Sequence, residues 1–426
     1  MSTMLQTLLA ERCESTHARG IYSVCSAHPW VIRASVQQAI ADGSPLLIEA
    51  TSNQVNQHGG YTGMRPADFR ELVLAIAAEE GLAAERIIFG GDHLGPNPWQ
   101  GLPAAEAMAL AIEMMREYAT AGFMKLHLDA SMACADDIAP LPDAVIAERA
   151  AQLCAAAEEA ATDEKPVYII GTEVPVPGGA TESLQELAVT TRVAAEKTLR
   201  IHREVFHAHG LDVVWARVVG LVVQPGVEFN HDSVVNYDPA KAVELKTLLD
   251  HTEGLVFEAH STDYQRPEAY VNLVRDGFAI LKVGPALTFA MREALMGLAA
   301  IENELFTLER RSSLPEVLEH AMLREPKYWI HHYHGDAADQ RILRRYSYSD
   351  RLRYYWGDLA VQQATDRLME NLSSISIPET LISAYLPEQY RSIREGSLAT
   401  KPLAMVLHAI RAALEPYAAA CFPVPV

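Results

Sequence analysis

Short apolar runs, each ending in polar residues, recur along the first two thirds of the chain. Continuous runs of this length between turn residues predict strands that are buried on both faces, as in a parallel sheet. The sequence has eight of them, at Gly20–Cys25, Pro45–Ala50, Arg86–Gly90, Met124–Asp129, Val167–Glu173, Val218–Gln224, Leu255–His260 and Ile280–Gly284.

Between most of these runs lie segments with helical apolar periodicity, such as Pro66–Glu80, Ala104–Ala121 and Asp143–Ala161. Eight strand–helix units over about 280 residues match the size of a closed barrel. We therefore predict an α/β fold, a (β/α)8 TIM barrel, over residues 20–300. An open doubly wound sheet is the competing fold, but it normally has a Gly-x-Gly-x-x-Gly turn after its first strand, and none follows here.

The two ends of the chain show a different pattern. Residues 1–19 predict a short N-terminal helix with Leu5, Leu8 and Leu9 on one face. From residue 301 to residue 426, long helical patterns replace the alternation and carry aromatic and basic clusters such as Arg351–Trp356. We predict that residues 301–426 form a helical C-terminal extension packed on the barrel.

Charge and composition exclude some classes of function. The 426 residues carry a net charge of -20, from 35 basic and 55 acidic side chains, and nucleic-acid partners need a basic surface. No run of about 18 apolar residues predicts a membrane span. The five cysteines lack CxxC spacing, which favours reduced thiols and a cytoplasmic location.

The third apolar run leads directly into Asp92 and His93, at the place where a barrel presents its active site. A carboxylate there can take a proton from a hydroxyl group, and the adjacent imidazole can bind a divalent metal. The alternative is a polar pair that only ends the strand. We predict that Asp92 is catalytic and that His93 is a metal ligand.

Two further strands place histidines beside acids. His127 and Asp129 share one side of the fourth strand, and Glu258 and His260 share one side of the seventh. Asp129 lies at the strand end and is a candidate for proton transfer, whereas we interpret His127 as a satisfied interior histidine. His260 is the second candidate metal ligand.

The fifth strand leads into Glu173, which precedes a rigid turn with the pair Gly178-Gly179. Glu173 can serve as a metal ligand, as a catalytic acid, or merely as a loop acid. The two glycines can bind a phosphate with backbone N–H groups. Lys282 on the eighth strand can be a substrate-binding ammonium, an ion-pair partner, or a Schiff-base amine as in metal-free aldolases.

Uncharged hydrogen-bonding groups follow the first, second and sixth strands. Asn53 and Gln54 suit a polyhydroxylated ligand such as a sugar, although the same composition suits an ordinary long loop. Ser23 and Gln224 are candidates for the same substrate site. The chain has no GxxxxGK[ST] sequence, so the motifs give no support for P-loop phosphotransfer.

Several motifs resemble the GatZ/KbaZ family, the tagatose-1,6-bisphosphate aldolase subunits that are also called tagatose-6-phosphate kinases. The resemblance covers nearly the whole chain, and its motifs are long and specific. They lie at Ser23–Pro29, Ile48–Gln57, Gly90–Asn97, His127–Met132, Gly171–Gly179 and Glu258–Gln265.

The resemblance implies sugar-phosphate metabolism in tagatose or galactitol catabolism, with a phosphorylated ketohexose as substrate. Some relatives epimerise tagatose 6-phosphate at C4, and others stabilise the catalytic chain of a class II aldolase without catalysing. We expect a metal-assisted tagatose 6-phosphate 4-epimerase. The alternative is a non-catalytic stabilising subunit of a class II tagatose-1,6-bisphosphate aldolase. An oligomer is expected in either case.

A further resemblance to class II aldolases implies roles for single residues. By that resemblance Asp92 is the base, Glu173 the acid, and His93 and His260 ligands of a divalent metal such as zinc. The sixth strand departs from the aldolase pattern, because Gln224 stands where a ligand histidine would be. An amide oxygen binds zinc far less well than imidazole, so this position leaves open which metal the site holds.

Overall fold

The computed structural model describes residues 4–14, 18–162, 164–172 and 187–423. Three residues of the predicted site, Glu173, Gly178 and Gly179, lie outside these ranges. The predictions made for them therefore stay predictions.

Eight parallel strands close into a barrel, in which β1 pairs with both β2 and β8. The predicted (β/α)8 fold is confirmed. The strands are β1 (Ile21–Cys25), β2 (Leu46–Thr51), β3 (Ile87–Leu94), β4 (Lys125–Leu128), β5 (Val167–Ile170), β6 (Val218–Val222), β7 (Val256–Ala259) and β8 (Phe278–Val283). A small antiparallel pair, Glu228–Phe229 with Val234–Val235, follows β6.

Helices cover the outside of the barrel. The longer ones are Pro29–Asp42, Pro66–Glu80, Ala104–Thr120, Asp143–Ala160, Arg192–Ala208, Pro267–Arg275 and Pro285–Leu305. Short α-helices lie at Asp212–Trp215 and Val243–Lys246, and 3-10 turns at Ala84–Arg86, Asn97–Trp99 and Leu249–His251. Many begin with proline at their first turn, where its missing N–H costs nothing and its fixed φ favours the helix.

The C-terminal region is helical, as predicted. Its α-helices are Leu314–Arg324, Ala337–Tyr346, Leu359–Ser373, Glu379–Tyr385, Pro387–Arg394 and Pro402–Cys421, with 3-10 turns at Pro326–Tyr328 and Arg351–Tyr355. The last helix returns to the barrel and packs on the helices that follow β1, β7 and β8. The domain boundaries at residues 20 and 301 stay predictions. None of the described helices is both long enough and apolar enough to cross a membrane.

The amino-terminal end of the barrel interior is apolar. Leu5 and Leu9 of the helix Met4–Glu14 are buried there. They belong to one apolar cluster with residues near the starts of the strands, including Ile21 and Leu47. The apolar side chains of this helix cover the amino-terminal end of the barrel. Polar groups inside the barrel therefore collect at the opposite, carboxyl end.

Strand β3 continues to Leu94, beyond the end predicted from its apolar run. Between Gly91 and Leu94 it has one residue more than the facing part of β4, which makes a β-bulge. His93 adopts a left-handed backbone conformation there, with φ of 47°. Successive strand residues normally point to opposite faces, but a bulge re-aims side chains. It explains how Asp92 and His93, adjacent in sequence, both reach the barrel mouth.

The turn after β3 requires a glycine. A Cβ atom on Gly95 would lie 1.6 Å from the carbonyl oxygen of Asp129, at the end of β4. The backbone must come this close because β3 and β4 both deliver site residues at the same level. In the same connection, Gly101 has open space around its Cα atom.

We predict that Gly95→Ala destabilises the protein by about 2 kcal/mol or more, since the added methyl group forces two strand ends apart. Gly101→Ala is the matched control and should change stability by less than about 1 kcal/mol. Urea unfolding followed by circular dichroism measures both. Equal stabilities of the two variants would contradict the close approach.

Candidate active site

A cavity of about 950 Å³ opens at the carboxyl end of the barrel. The barrel and the C-terminal extension both line it. From the barrel come Asn53, Gln54, Asp92, His93, His260 and Lys282, and from the extension come Tyr328, Arg353, Tyr354 and Trp356. The cavity therefore lies at the mouth of the barrel, and residues of the C-terminal extension cover it.

Other predicted site residues lie beside this cavity rather than on its wall. Asp129 is 1% exposed, and one of its oxygens is 2.7 Å from Nδ1 of His93. Ser23 is fully buried, with its hydroxyl 3.7 Å from the Cys25 sulfur. The Gln224 amide oxygen accepts backbone N–H groups of its own turn, at 2.8 and 3.0 Å, so this oxygen is already bonded within the turn.

Beneath the cavity, a layer of paired charges fills the barrel. Lys125 lies between two carboxylates, with Nζ 2.6 Å from Glu49 and 2.6 Å from Glu258. All three side chains are fully buried. Gly90 makes room for this layer, because a Cβ atom on it would lie 2.6 Å from Cγ of Glu49.

Lys282 joins the charged layer to the cavity. Its ammonium pairs with Glu49 and lies 2.9 Å from Asp92 and 3.7 Å from Glu258. Burial lowers the pKa of Lys282, but Asp92 and the other nearby acids outweigh it and raise the pKa well above the ordinary value. A Schiff-base amine must be uncharged to attack. The surroundings of Lys282 therefore favour the ion-pair interpretation.

The surroundings lower the pKa values of two carboxylates of the site. Burial opposes the charge of Asp92, but His93 and Lys282 outweigh it and hold the pKa of Asp92 well below its usual range. Burial likewise opposes ionisation of Asp129, and the hydrogen bond with His93 lowers its pKa. Burial lowers the pKa of His260 to about 4. Burial also lowers the pKa of His93, but Asp92 and Asp129 outweigh it and raise the pKa above the ordinary value.

The buried group is compatible with a metal site. Asp92, His127, Glu258 and His260 each offer a donor atom, and these four atoms lie within 4.8 Å of one another. Nε2 of His127 is buried and has no hydrogen-bond partner among the described residues. Imidazole and carboxylate together suit divalent transition metals, so the residues present fit such an ion.

The sequence patterns did not identify two parts of this site. The sequence predicts a satisfied histidine at His127, yet one of its ring nitrogens has no hydrogen-bond partner among the described residues. Arg353 lines the cavity from the extension, and donates to the Asp350 carbonyl and the Tyr354 hydroxyl, both at 3.1 Å. It forms no salt bridge within the described part of the chain. The aromatic and basic cluster around Arg353 was the available signal.

Comparison with known proteins identifies relatives whose similarity covers both the barrel and the C-terminal extension. A family model described as D-tagatose-1,6-bisphosphate aldolase subunit GatZ/KbaZ-like matches residues 5–422. The crystal structure of a probable tagatose 6-phosphate kinase from Sinorhizobium meliloti 1021 is 52% identical, with a TM-score of 0.88, over 95% of this chain and 100% of that chain. The crystal structure of a fructose-bisphosphate aldolase from Campylobacter jejuni is 13% identical over 88% of this chain and 94% of that chain, with a TM-score of 0.44.

We predict that Lys125→Met destabilises the protein by about 3–5 kcal/mol, because it leaves Glu49 and Glu258 buried without their shared cation. Lys197→Met is the control. Lys197 is 56% exposed and lies 2.6 Å from Asp143, so its loss should cost less than about 1 kcal/mol. The free energies of unfolding of both variants, measured in urea, test this prediction. Similar losses in both variants would show that the buried layer contributes little.

Proposed function

We propose, on the premise that this chain belongs to the GatZ/KbaZ-like family of D-tagatose-1,6-bisphosphate aldolase subunits, that it is a tagatose 6-phosphate 4-epimerase. Family membership itself supports a sugar-phosphate role related to tagatose-bisphosphate aldolase. The proposal goes further, and assigns inversion at C4 through reversible cleavage of the C3–C4 bond.

The state of Asp92 is the observation that carries the proposal. One carboxylate oxygen is held by Lys282 at 2.9 Å and by His127 at 3.2 Å. The other makes no hydrogen bond to the described residues and lies 3.8 Å from Nε2 of His93. Asp92 thus offers an ionised, oriented oxygen to a ligand in the cavity. That is the geometry that a general base needs.

The low pKa of Asp92 makes it a weak base, so the hydroxyl that it deprotonates must be acidified. A divalent cation bound by His93 and His260 would supply that acidification by stabilising negative charge on the sugar oxygens. Asp129 holds Nδ1 of His93, which fixes the direction of the ring. In this proposal Asp129 orients a ligand and does not touch the substrate.

The reaction balances without a co-reactant. Asp92 takes the proton of the C4 hydroxyl, and the C3–C4 bond breaks with its electron pair moving toward the C2 carbonyl. The products are the enediolate of dihydroxyacetone and glyceraldehyde 3-phosphate. The aldehyde turns, C3 attacks its other face, and Asp92 returns the proton to the new C4 oxygen.

The roof of the cavity supplies a partner for the substrate phosphate. Lys282 is neutralised by carboxylates, but Arg353 on the same cavity has only neutral acceptors among the described residues. An arginine in that state suits a phosphate dianion. In the proposal Arg353 holds the phosphate end of the sugar, and a contribution from Gly178 and Gly179 remains a prediction.

The second candidate function is a non-catalytic subunit that stabilises a class II aldolase chain. One observation favours it, because Gln224 faces its own turn and β6 lacks the ligand histidine of the aldolase pattern. The retained Asp92, His93 and His260 in one cavity favour the epimerase instead. A kinase has the least support, since the sequence has no P-loop.

We predict that Asp92→Asn lowers turnover of tagatose 6-phosphate about 100-fold or more, because the amide keeps the shape but cannot accept the proton. The conversion to fructose 6-phosphate can be followed by carbon NMR with zinc, manganese or magnesium present. Asp143→Asn, on an outer helix, is the control and should keep full turnover.

Two results would overturn the assignment. Full activity of Asp92→Asn would exclude Asp92 as the base. An unmodified chain that is inactive with every metal, but that raises the stability of a co-expressed class II aldolase, would establish the subunit function. Asp92→Asn should then leave that stabilisation nearly unchanged.

A further inference from the structure

Three buried histidines share one pattern of hydrogen bonds. In each, a carboxylate holds one ring nitrogen, and the carboxylate is a different one for each histidine. The pairs are His93 Nδ1 with Asp129 at 2.7 Å, His127 Nδ1 with Asp92 at 3.2 Å, and His260 Nε2 with Glu258 at 2.9 Å.

The remaining nitrogen of each ring, Nε2 of His93, Nε2 of His127 and Nδ1 of His260, has no hydrogen-bond partner within the described ranges. His93 and His260 line the cavity, so water can reach them, but His127 is fully buried. Histidines that ligate a metal nearly always have their other nitrogen bound to a carboxylate, a carbonyl or water. The same arrangement is repeated here three times.

The centroids of the three rings also form a compact triangle. Their centroids are 5.2 Å apart for His93 and His127, 4.9 Å for His93 and His260, and 5.2 Å for His127 and His260. With metal–nitrogen bonds of about 2.1 Å and each nitrogen about 1.2 Å from its centroid, three imidazoles on a tetrahedral ion would have centroids about 5.4 Å apart. The observed triangle is nearly that size.

His127 cannot satisfy itself in either neutral form. Its Nδ1 faces both the Asp92 carboxylate and the backbone N–H of His93, each at 3.2 Å. If Nδ1 carries the proton, the Nε2 lone pair is buried without a donor; if Nε2 carries it, that N–H is buried without an acceptor. An unmet buried polar group costs about 1–3 kcal/mol. A cation on Nε2 removes this cost in the first form.

We propose that His127 is a metal ligand and that, with His93 and His260, it forms a three-histidine site for one divalent cation such as zinc. His127 on β4 then supplies the imidazole that β6 lacks at Gln224. The lysines already hold Asp92 and Glu258, so these acids orient the rings rather than bind the ion. The inference rests on the proposed function only in placing a metal at the barrel mouth.

The test is calorimetric titration of the metal-free protein with zinc, for the unmodified chain and for His127→Gln. We expect one equivalent to bind, and the variant to bind at least about 100-fold more weakly, since losing an orienting partner alone costs 10–100-fold. His202→Gln is the matched control. His202 is also buried with an unpartnered Nε2, but its Nδ1 contacts the Thr198 carbonyl on an outer helix.

Two outcomes of the titration would overturn the proposal. They are zinc binding by His127→Gln within threefold of the unmodified chain, and the absence of zinc binding by the unmodified chain. If His127→Gln does not fold, zinc X-ray absorption of the unmodified protein decides, because imidazoles on the metal can be counted. Three are expected, and two or fewer would exclude His127.

These measurements contain no sugar, so they separate the two proposals. A three-imidazole zinc site in a protein that does not turn over tagatose 6-phosphate would overturn the epimerase and leave the ligand assignment intact. A protein that turns over tagatose 6-phosphate but whose zinc has only two imidazoles would overturn the ligand assignment and leave the epimerase proposal intact.

Discussion

The pairing of Lys125 with Glu49 and Glu258 is the interaction on which the rest of the site depends. Three strands, β2, β4 and β7, contribute these charges to the centre of the barrel, where water does not reach them. A buried ion needs a partner at close range, since removal from water costs several kcal/mol for each charge. The pairing therefore fixes the relative positions of the three strands at this level.

The charged layer holds two residues of the site above it, Asp92 and His260. Glu258 holds His260, and Lys282 holds one oxygen of Asp92 while it pairs with Glu49. Because each acid has two oxygens, one can meet a lysine while the other orients an imidazole or faces the cavity. Apolar side chains fill the opposite end of the barrel, and the cavity opens at the carboxyl end.

The barrel could be predicted because its strands are continuous apolar runs and because alternation places polar residues at their ends. The positions of Asp92, His93 and His260 at strand ends predicted that they lie together, although Asp92 and His93 both face the mouth only because of the bulge in β3. It failed to predict the end of β3, since a bulge leaves no mark in hydrophobic periodicity. The interpretation of His127 as a satisfied residue rested on one strand alone, whereas its partners come from elsewhere. Arg353 lies 70 residues beyond the end of β8, which lines the same cavity, and only the fold reveals that proximity.

The last helix also gives the barrel a particular order of completion. The backbone N–H of Gly20, just before β1, donates to the carbonyl of Cys421 at 3.2 Å. Phe422 packs on the apolar cluster that contains Leu5 and Leu9. During synthesis, β1 emerges about 400 residues before this partner, so the hydrogen bond between Gly20 and Cys421 can form only after the final helix has been made. The base of the barrel is therefore completed by residues that lie far apart in the sequence.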